Sequence, residues 1–152
     1  KPSDVQFHYI PNLPQESGIK ARHTYNSPTD PPKLLKLYAH TLDDVFPNSQ
    51  VAFIKIDIEG GELDMLEGAG RTLTISRPVV SFECGAASFL GYHDRPQDLF
   101  KLFHDRGYAL YSILGDQIAD GQAFREAAHA QAVWDYVALP FEKADQATFL
   151  AS

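Results

Sequence analysis

The chain has 152 residues, a formal net charge of −7, and 44% hydrophobic against 22% charged residues, the balance of a folded domain rather than a disordered chain. The acidic balance counts against a binder of phosphate backbones. The single Cys84 leaves no internal disulfide to form, and no apolar run approaches the roughly 20 residues that span a bilayer; the expectation is a cytoplasmic protein with no nucleic-acid and no membrane partner.

Seven of the ten prolines (Pro2, Pro11, Pro14, Pro28, Pro31, Pro32 and Pro47) fall early in the chain, so residues 11–33 read as a long irregular segment of the kind used for lids or linkers. On either side, residues 5–10 and 35–40 alternate apolar and polar side chains and predict two short strands. Thr41 then caps a short helix, with Asp44 three residues on, and Pro47 and Asn48 stop it. Residues 51–58 are almost all apolar and β-branched, the pattern of a strand covered on both faces. A single helix is predicted next, with Leu63, Leu66, Gly70 and Leu73 on one stripe. Gly68, Ala69 and Gly70 then lie inside a helix, not in the strand-to-helix turn that binds nucleotides. Pro78 opens a second buried strand at 79–84. Asp94 and Pro96 begin a helix faced by Leu99, Phe100 and Phe103, and Gly107 ends it. A third strand follows at 108–114, an Ala-rich helix at 122–132, and a fourth strand at 134–139 closed by Pro140. This order predicts an α/β fold with a parallel three-stranded core. The last strand pairs antiparallel with the third, giving the sheet a reversed edge.

Open α/β sheets bind ligands beyond the carboxyl ends of their strands, and here those ends carry acids. Lys55, Asp57 and Glu59 share one face of the strand if it continues that far. A carboxylate at Asp57 is costly to bury without a partner, so it either faces the ligand crevice, pairs with Lys55, or caps the next helix. Glu59 and Glu62 open that helix, where the helix dipole favours acids with or without a ligand. Glu83 is placed like Asp57, one strand over. His93, in the loop after the second core strand, is a candidate general base, although most loop histidines are simply solvated. Cys84 has no activating neighbour in sequence and reads as a small hydrophobe. There is no H-E-x-x-H, no zinc spacing, no G-x-S-x-G elbow and no P-loop. Two further readings stay open. Asp57, Glu59 and Glu83 offer the oxygen ligands Mg²⁺ prefers, which describes a Mg-dependent α/β enzyme. Alternatively, the chain is a non-catalytic module that pairs through an open sheet edge.

One stretch is more specific. Residues 53–62 read F-I-K-I-D-I-E-G-G-E and are followed by Leu66, Glu67, Gly68 and Ala69; Thr41, Leu42, Asp43 and Asp44 precede them, and Val80, Ser81, Phe82 and Glu83 follow. This series resembles the signature of the FkbM-type methyltransferases, with K-x-D-x-E-G-x-E on a strand, L-x-G-A on a helix and T-L-D-D upstream. Ser17 and Gly18 resemble a loop of the same family. The resemblance implies a Rossmann-like class I methyltransferase sheet, mostly parallel with an antiparallel last strand. It also implies transfer of a methyl group from S-adenosylmethionine to a small-molecule or sugar hydroxyl. Asp57, Glu59 and His93 are then catalytic, with Asp57 also beside the cofactor and Glu83 and Glu62 against the substrate; no metal is called for. The family's first strands, its glycine-rich cofactor turn and its ribose-binding acid have no counterpart here, and the chain begins at Lys1 rather than at Met. Residues 1–152 are therefore expected to be the C-terminal part of one methyltransferase domain, with an irregular segment at 1–40 and an α/β core at 41–152. Such a piece lacks the main cofactor cradle, is inactive alone, and exposes a sheet edge through which copies can pair.

Overall fold

The computed structural model describes residues 2–14, 17–20, 31–58, 60–85 and 96–145. The alternating segments near the start form strands β1 (Ser3–Tyr9) and β2 (Lys33–Ala39), paired antiparallel from Ser3↔Ala39 to Tyr9↔Lys33. Just past β1, the Ile10 N–H donates to Ser17 Oγ at 2.9 Å, and His8 bridges to Gly18. The ribbon stands apart from the main sheet, with Leu34, Leu35, Leu37 and Tyr38 largely exposed.

Helix α1 (Leu42–Val45) starts as its sequence dictates. Thr41 Oγ1 accepts the Asp44 N–H at 3.1 Å, and its hydroxyl donates to Asp44 Oδ2 at 2.6 Å. Strand β3 (Phe53–Ile56) is shorter than the apolar run that encodes it. The helix expected after it is two helices, α2 (Glu62–Glu67) and α3 (Gly70–Ile75). The break comes from tertiary contacts that periodicity does not register. Gly68 lies against Thr41, where an added Cβ would meet the Thr41 Cβ at 3.2 Å, and its carbonyl accepts the Asp43 N–H at 3.1 Å. The Asp43 carboxylate then caps α3, accepting the Arg71 N–H at 2.7 Å, the Thr72 N–H at 2.9 Å and the Thr72 hydroxyl at 2.7 Å. The two acids after Thr41 thus serve different helices: Asp44 accepts the hydroxyl of Thr41, the cap of its own helix, and Asp43 caps one that begins 27 residues later at Gly70.

The remaining elements are β4 (Val79–Glu83), α4 (Pro96–His104), β5 (Tyr108–Ser112), β6 (Gln117–Ile118), α5 (Gly121–Ala130) and β7 (Asp135–Pro140). The two-residue β6 was not foreseen. Asp94, expected to cap α4, lies outside the described residues; Asp120 caps α5, accepting the Gln122 and Ala123 N–H groups at 2.9 Å.

The five-stranded sheet runs β3-β4-β7-β5-β6. It corrects the expected arrangement in two ways. Strand β7 does pair antiparallel with β5, but it also pairs antiparallel with β4, so the reversed strand is central rather than at an edge. Among the neighbouring pairs only β3·β4 is parallel, so the sheet is mixed rather than mostly parallel. The place of β7 suits its sequence: Tyr136, Val137, Ala138 and Leu139 are all buried, and between β4 and β5 the strand has its backbone paired on both sides as well as its faces covered.

Strand alternation sorts the side chains by face. Ile54, Ile56, Val80, Phe82, Leu110, Tyr136 and Ala138 face the helices, where Leu66, Leu73, Leu99, Phe103 and Phe124 meet them in the main core. Phe82 stacks on Phe103 and Tyr136, and Phe124 meets Tyr136 edge-on. Ala109, Tyr111, Val137 and Leu139 form a smaller cluster on the opposite face. One end of the sheet is closed by Arg77. Its guanidinium donates to the Gly107 carbonyl at 2.9 Å and to the Arg106 carbonyl, pairs with Glu142 at 2.7 Å, and lies over the Tyr108 ring. Hydrogen bonding from Arg77 holds the Glu142 carboxyl down to about 2.

Candidate functional site at the carboxyl ends of the parallel strands

The other end of the sheet carries the acids. Strands β3 and β4 finish there and β7 begins there, in the register Ile56↔Phe82 and Glu83↔Asp135. One further step along β3 brings Asp57 level with Glu83, so Asp57, Glu83 and Asp135 form a row across three strands. Alternation places this row, with Lys55 two residues before Asp57, on the face turned away from the helices.

Lys55 Nζ donates to Asp135 Oδ1 at 3.2 Å and lies 4.0 Å from Asp57 Oδ2; all three side chains are about half exposed. Pairs this exposed contribute little to stability. Lys55 is engaged mainly by Asp135, and the Asp57 carboxylate remains within reach of solvent at the strand's end. That is the geometry of a group able to accept a hydrogen bond, or a proton, from a molecule lying across the strand ends.

The other predicted residues divide. Glu83 is the last residue of β4, half-buried and in line with Asp57. Glu62, expected against substrate, is 3% exposed, and its Oε1 accepts the Gly60 N–H at 3.0 Å. This bond braces the turn between β3 and α2. Glu59 and His93 lie outside the described residues. Among the described residues no group of three His, Cys, Asp or Glu side chains is arranged to hold a metal ion, and the Asp57–Glu59–Glu83 set contains a residue that is not described. Cys84 is buried among the core hydrophobes, as its sequence context suggested.

Two residues of this end escaped sequence reasoning. Asp135 joins the acid row only because β7 inserts next to β4; a lone acid before an apolar run signals no such partner. Tyr136 is buried, and among the described residues its hydroxyl has no hydrogen-bond partner. Burial pushes its pKa up to about 12, so the phenol keeps its proton and can only donate or accept as a neutral group.

The described residues fit one wall of a cofactor site and not a whole cradle. A cradle for an adenosyl group needs backbone N–H groups in a strand-to-helix turn that are free to meet the ligand. The turn after β3 contains Gly60 and Gly61, and its Gly60 N–H is already taken by Glu62. What remains on offer is the exposed carboxylate of Asp57 with Lys55 and Asp135 beside it.

A mixed α/β sheet with helices over one face and a row of acids at the carboxyl ends of its parallel pair defines the class: an α/β protein with its polar groups gathered where such folds bind ligands. The family model of the methyltransferase FkbM domain matches residues 6–110, about two-thirds of the chain, and the chain belongs to this family. No curated protein and no solved structure matches it. The matched span takes in the Asp43 clasp, the β3 strand end and Glu83, and stops within β5. Among the described residues no helix is long and apolar enough to cross a membrane.

Proposed function

We propose that the chain forms the acceptor-side part of an S-adenosylmethionine-dependent O-methyltransferase with a Rossmann-like sheet, acting on the hydroxyl of a small molecule or sugar. One observation carries the reading: Lys55, Asp57, Gly60 and Glu62 of the family's K-x-D-x-E-G-x-E pattern lie where β3 ends, with Asp57 exposed beside Lys55. When bound, the cofactor supplies an electrophilic methyl group. Asp57 accepts a hydrogen bond from the acceptor hydroxyl and takes its proton, a contribution typically worth 10²–10⁴-fold. Lys55, held by Asp135, limits where the Asp57 carboxylate can sit. Glu83 borders the acceptor, and Glu62 keeps the turn in shape. Glu59 and His93 are proposed to complete the polar surround, on the family pattern alone.

Calorimetric titration with S-adenosylmethionine tests the reading in two arms. The 152-residue chain is expected to show no micromolar binding, because the described residues make no cradle. The longest encoded form of the protein that contains these residues is expected to bind at micromolar concentration. Micromolar binding by the 152-residue chain contradicts the account of the cradle, and absence of binding by the longest form contradicts the methyltransferase reading.

A further inference from the structure

We propose that Trp134 is a stacking platform for the acceptor, and that the ligand it selects is a neutral ring with one apolar face and hydroxyl groups around its edge. This deepens the reading above and rests on it for the word acceptor.

Trp134 immediately precedes β7, at the same end of the sheet as Asp57 and Glu83. Its carbonyl accepts the Cys84 N–H at 2.8 Å, which extends the β4·β7 pairing by one step. Its six-membered ring lies on Gly85, so close that an added Cβ there would stand 2.6 Å from Cε3 and 2.8 Å from Cζ3. Only a residue without a side chain allows this approach. The indole thus packs against the Gly85 backbone, and Trp134 remains 38% exposed. An aromatic surface at the ligand end, packed on Gly85 and partly exposed, offers a π face at little ordering cost, which is what rigid aromatic anchors contribute to recognition.

The neighbouring groups narrow the ligand. Asp57 and Asp135, on the opposite face of the same strand ends, are exposed acceptors for hydroxyl donors, and Lys55 between them is a donor. An indole among carboxylates alone suits a cation, but a cationic ligand here would meet the Lys55 ammonium. A neutral polyhydroxylated ring lying across the strand ends satisfies all of these groups: its C–H face rests on the indole, and its hydroxyls reach the carboxylates and the ammonium.

Trp134 is the single tryptophan of the chain, so its emission reports directly on this platform without a turnover assay. The experiment titrates the 152-residue chain with methyl glucoside, galactoside, mannoside and rhamnoside in pyranose form. A saturable change in emission with at least one of them is expected. Ligand-observed saturation-transfer NMR on Trp134→Ala should then show that glycoside bound about tenfold or more weakly, the order seen when a stacking ring is removed. Trp134→Phe, which keeps a flat ring, should recover most of the binding, and circular dichroism of both variants confirms the fold. Emission unchanged by all four glycosides, or equal binding by Trp134→Ala, overturns the proposal. A response to phenol or to tetramethylammonium but to no glycoside overturns the assigned ligand class. Neither readout involves S-adenosylmethionine: glycoside binding in a protein whose longest form binds no cofactor rejects the methyltransferase reading alone, and methyl transfer with silent emission rejects the platform alone.

Discussion

Asp43 shows how much a single side chain decides in this chain. Partial burial pushes its pKa up, but the hydrogen bonds from the Thr72 side chain and from the Arg71 and Thr72 N–H groups outweigh that and hold it below its ordinary value of 3.8. A depressed carboxylate stabilises the fold above its unfolded pKa, and that stability is lost as pH falls through the folded value. Asp43→Ala is therefore expected to cost about 1–2 kcal/mol at neutral pH, as losing a helix cap does. In a protein of this size that lowers the melting midpoint by several degrees. The gap to wild type should close as the pH drops below about 4; a gap that persists there, in parallel thermal melts, contradicts the capping role. The two buried tyrosines make a second test. The Tyr108 hydroxyl donates to the Leu73 carbonyl at 3.0 Å, whereas that of Tyr136 has no partner among the described residues. Tyr108→Phe should cost about 1–2 kcal/mol in urea unfolding, because it leaves a buried carbonyl unpaired; Tyr136→Phe should be neutral or stabilising. Burial raises both phenols to about 12, so wild-type stability should fall as pH rises above 10 toward that value. Of these residues, Thr41 and Asp44 were legible as a local cap. Asp43 was not, because its partners are 28 and 29 residues away.

At the scale of elements, most strands and helices follow from patterns in the sequence: alternation in β1 and β2, apolar runs in β3, β4 and β7, a Pro-led start for α4. What the patterns do not contain is the order of strands. An antiparallel last strand was legible because the Ala-rich stretch before it reads as a weakly specified crossover, but its place between β4 and β5 depends on which neighbours bury Tyr136–Leu139. The α2/α3 break likewise depends on Thr41 and Asp43 meeting Gly68 and Thr72, contacts between segments that periodicity treats separately. This arrangement predicts a ranking of local stability. Strand β7 is paired on both sides and buried, whereas the β1·β2 ribbon has exposed side chains and only two strands, a marginal unit by itself. Native-state hydrogen exchange should find the slowest amides in β7 and its partners β4 and β5, and the fastest among the strands in β1 and β2. Equal protection of ribbon and central sheet contradicts the architecture.

For the whole molecule, the two ends of the five-stranded sheet differ in kind. The Arg77 end is closed, its guanidinium held by Glu142 and the Arg106 and Gly107 carbonyls. At the Asp57 end the described residues include half-exposed acids and a partly exposed indole. The signature at 53–62 pointed to this end from the sequence alone, because strand-end acids are read from a short window. Asp135 and Trp134 were out of reach, since they arrive from the far end of the chain through the insertion of β7. The central claim is that the Asp57 end performs the chemistry. Its most direct test is methyl transfer from labelled S-adenosylmethionine by the longest encoded form of the protein, comparing wild type with Asp57→Asn, with the fold of each checked by its melting transition. The account predicts that Asp57→Asn lowers the transfer rate by at least about 100-fold, the lower bound for losing a positioned base, with the melting transition unchanged. Transfer by Asp57→Asn at the wild-type rate would contradict it.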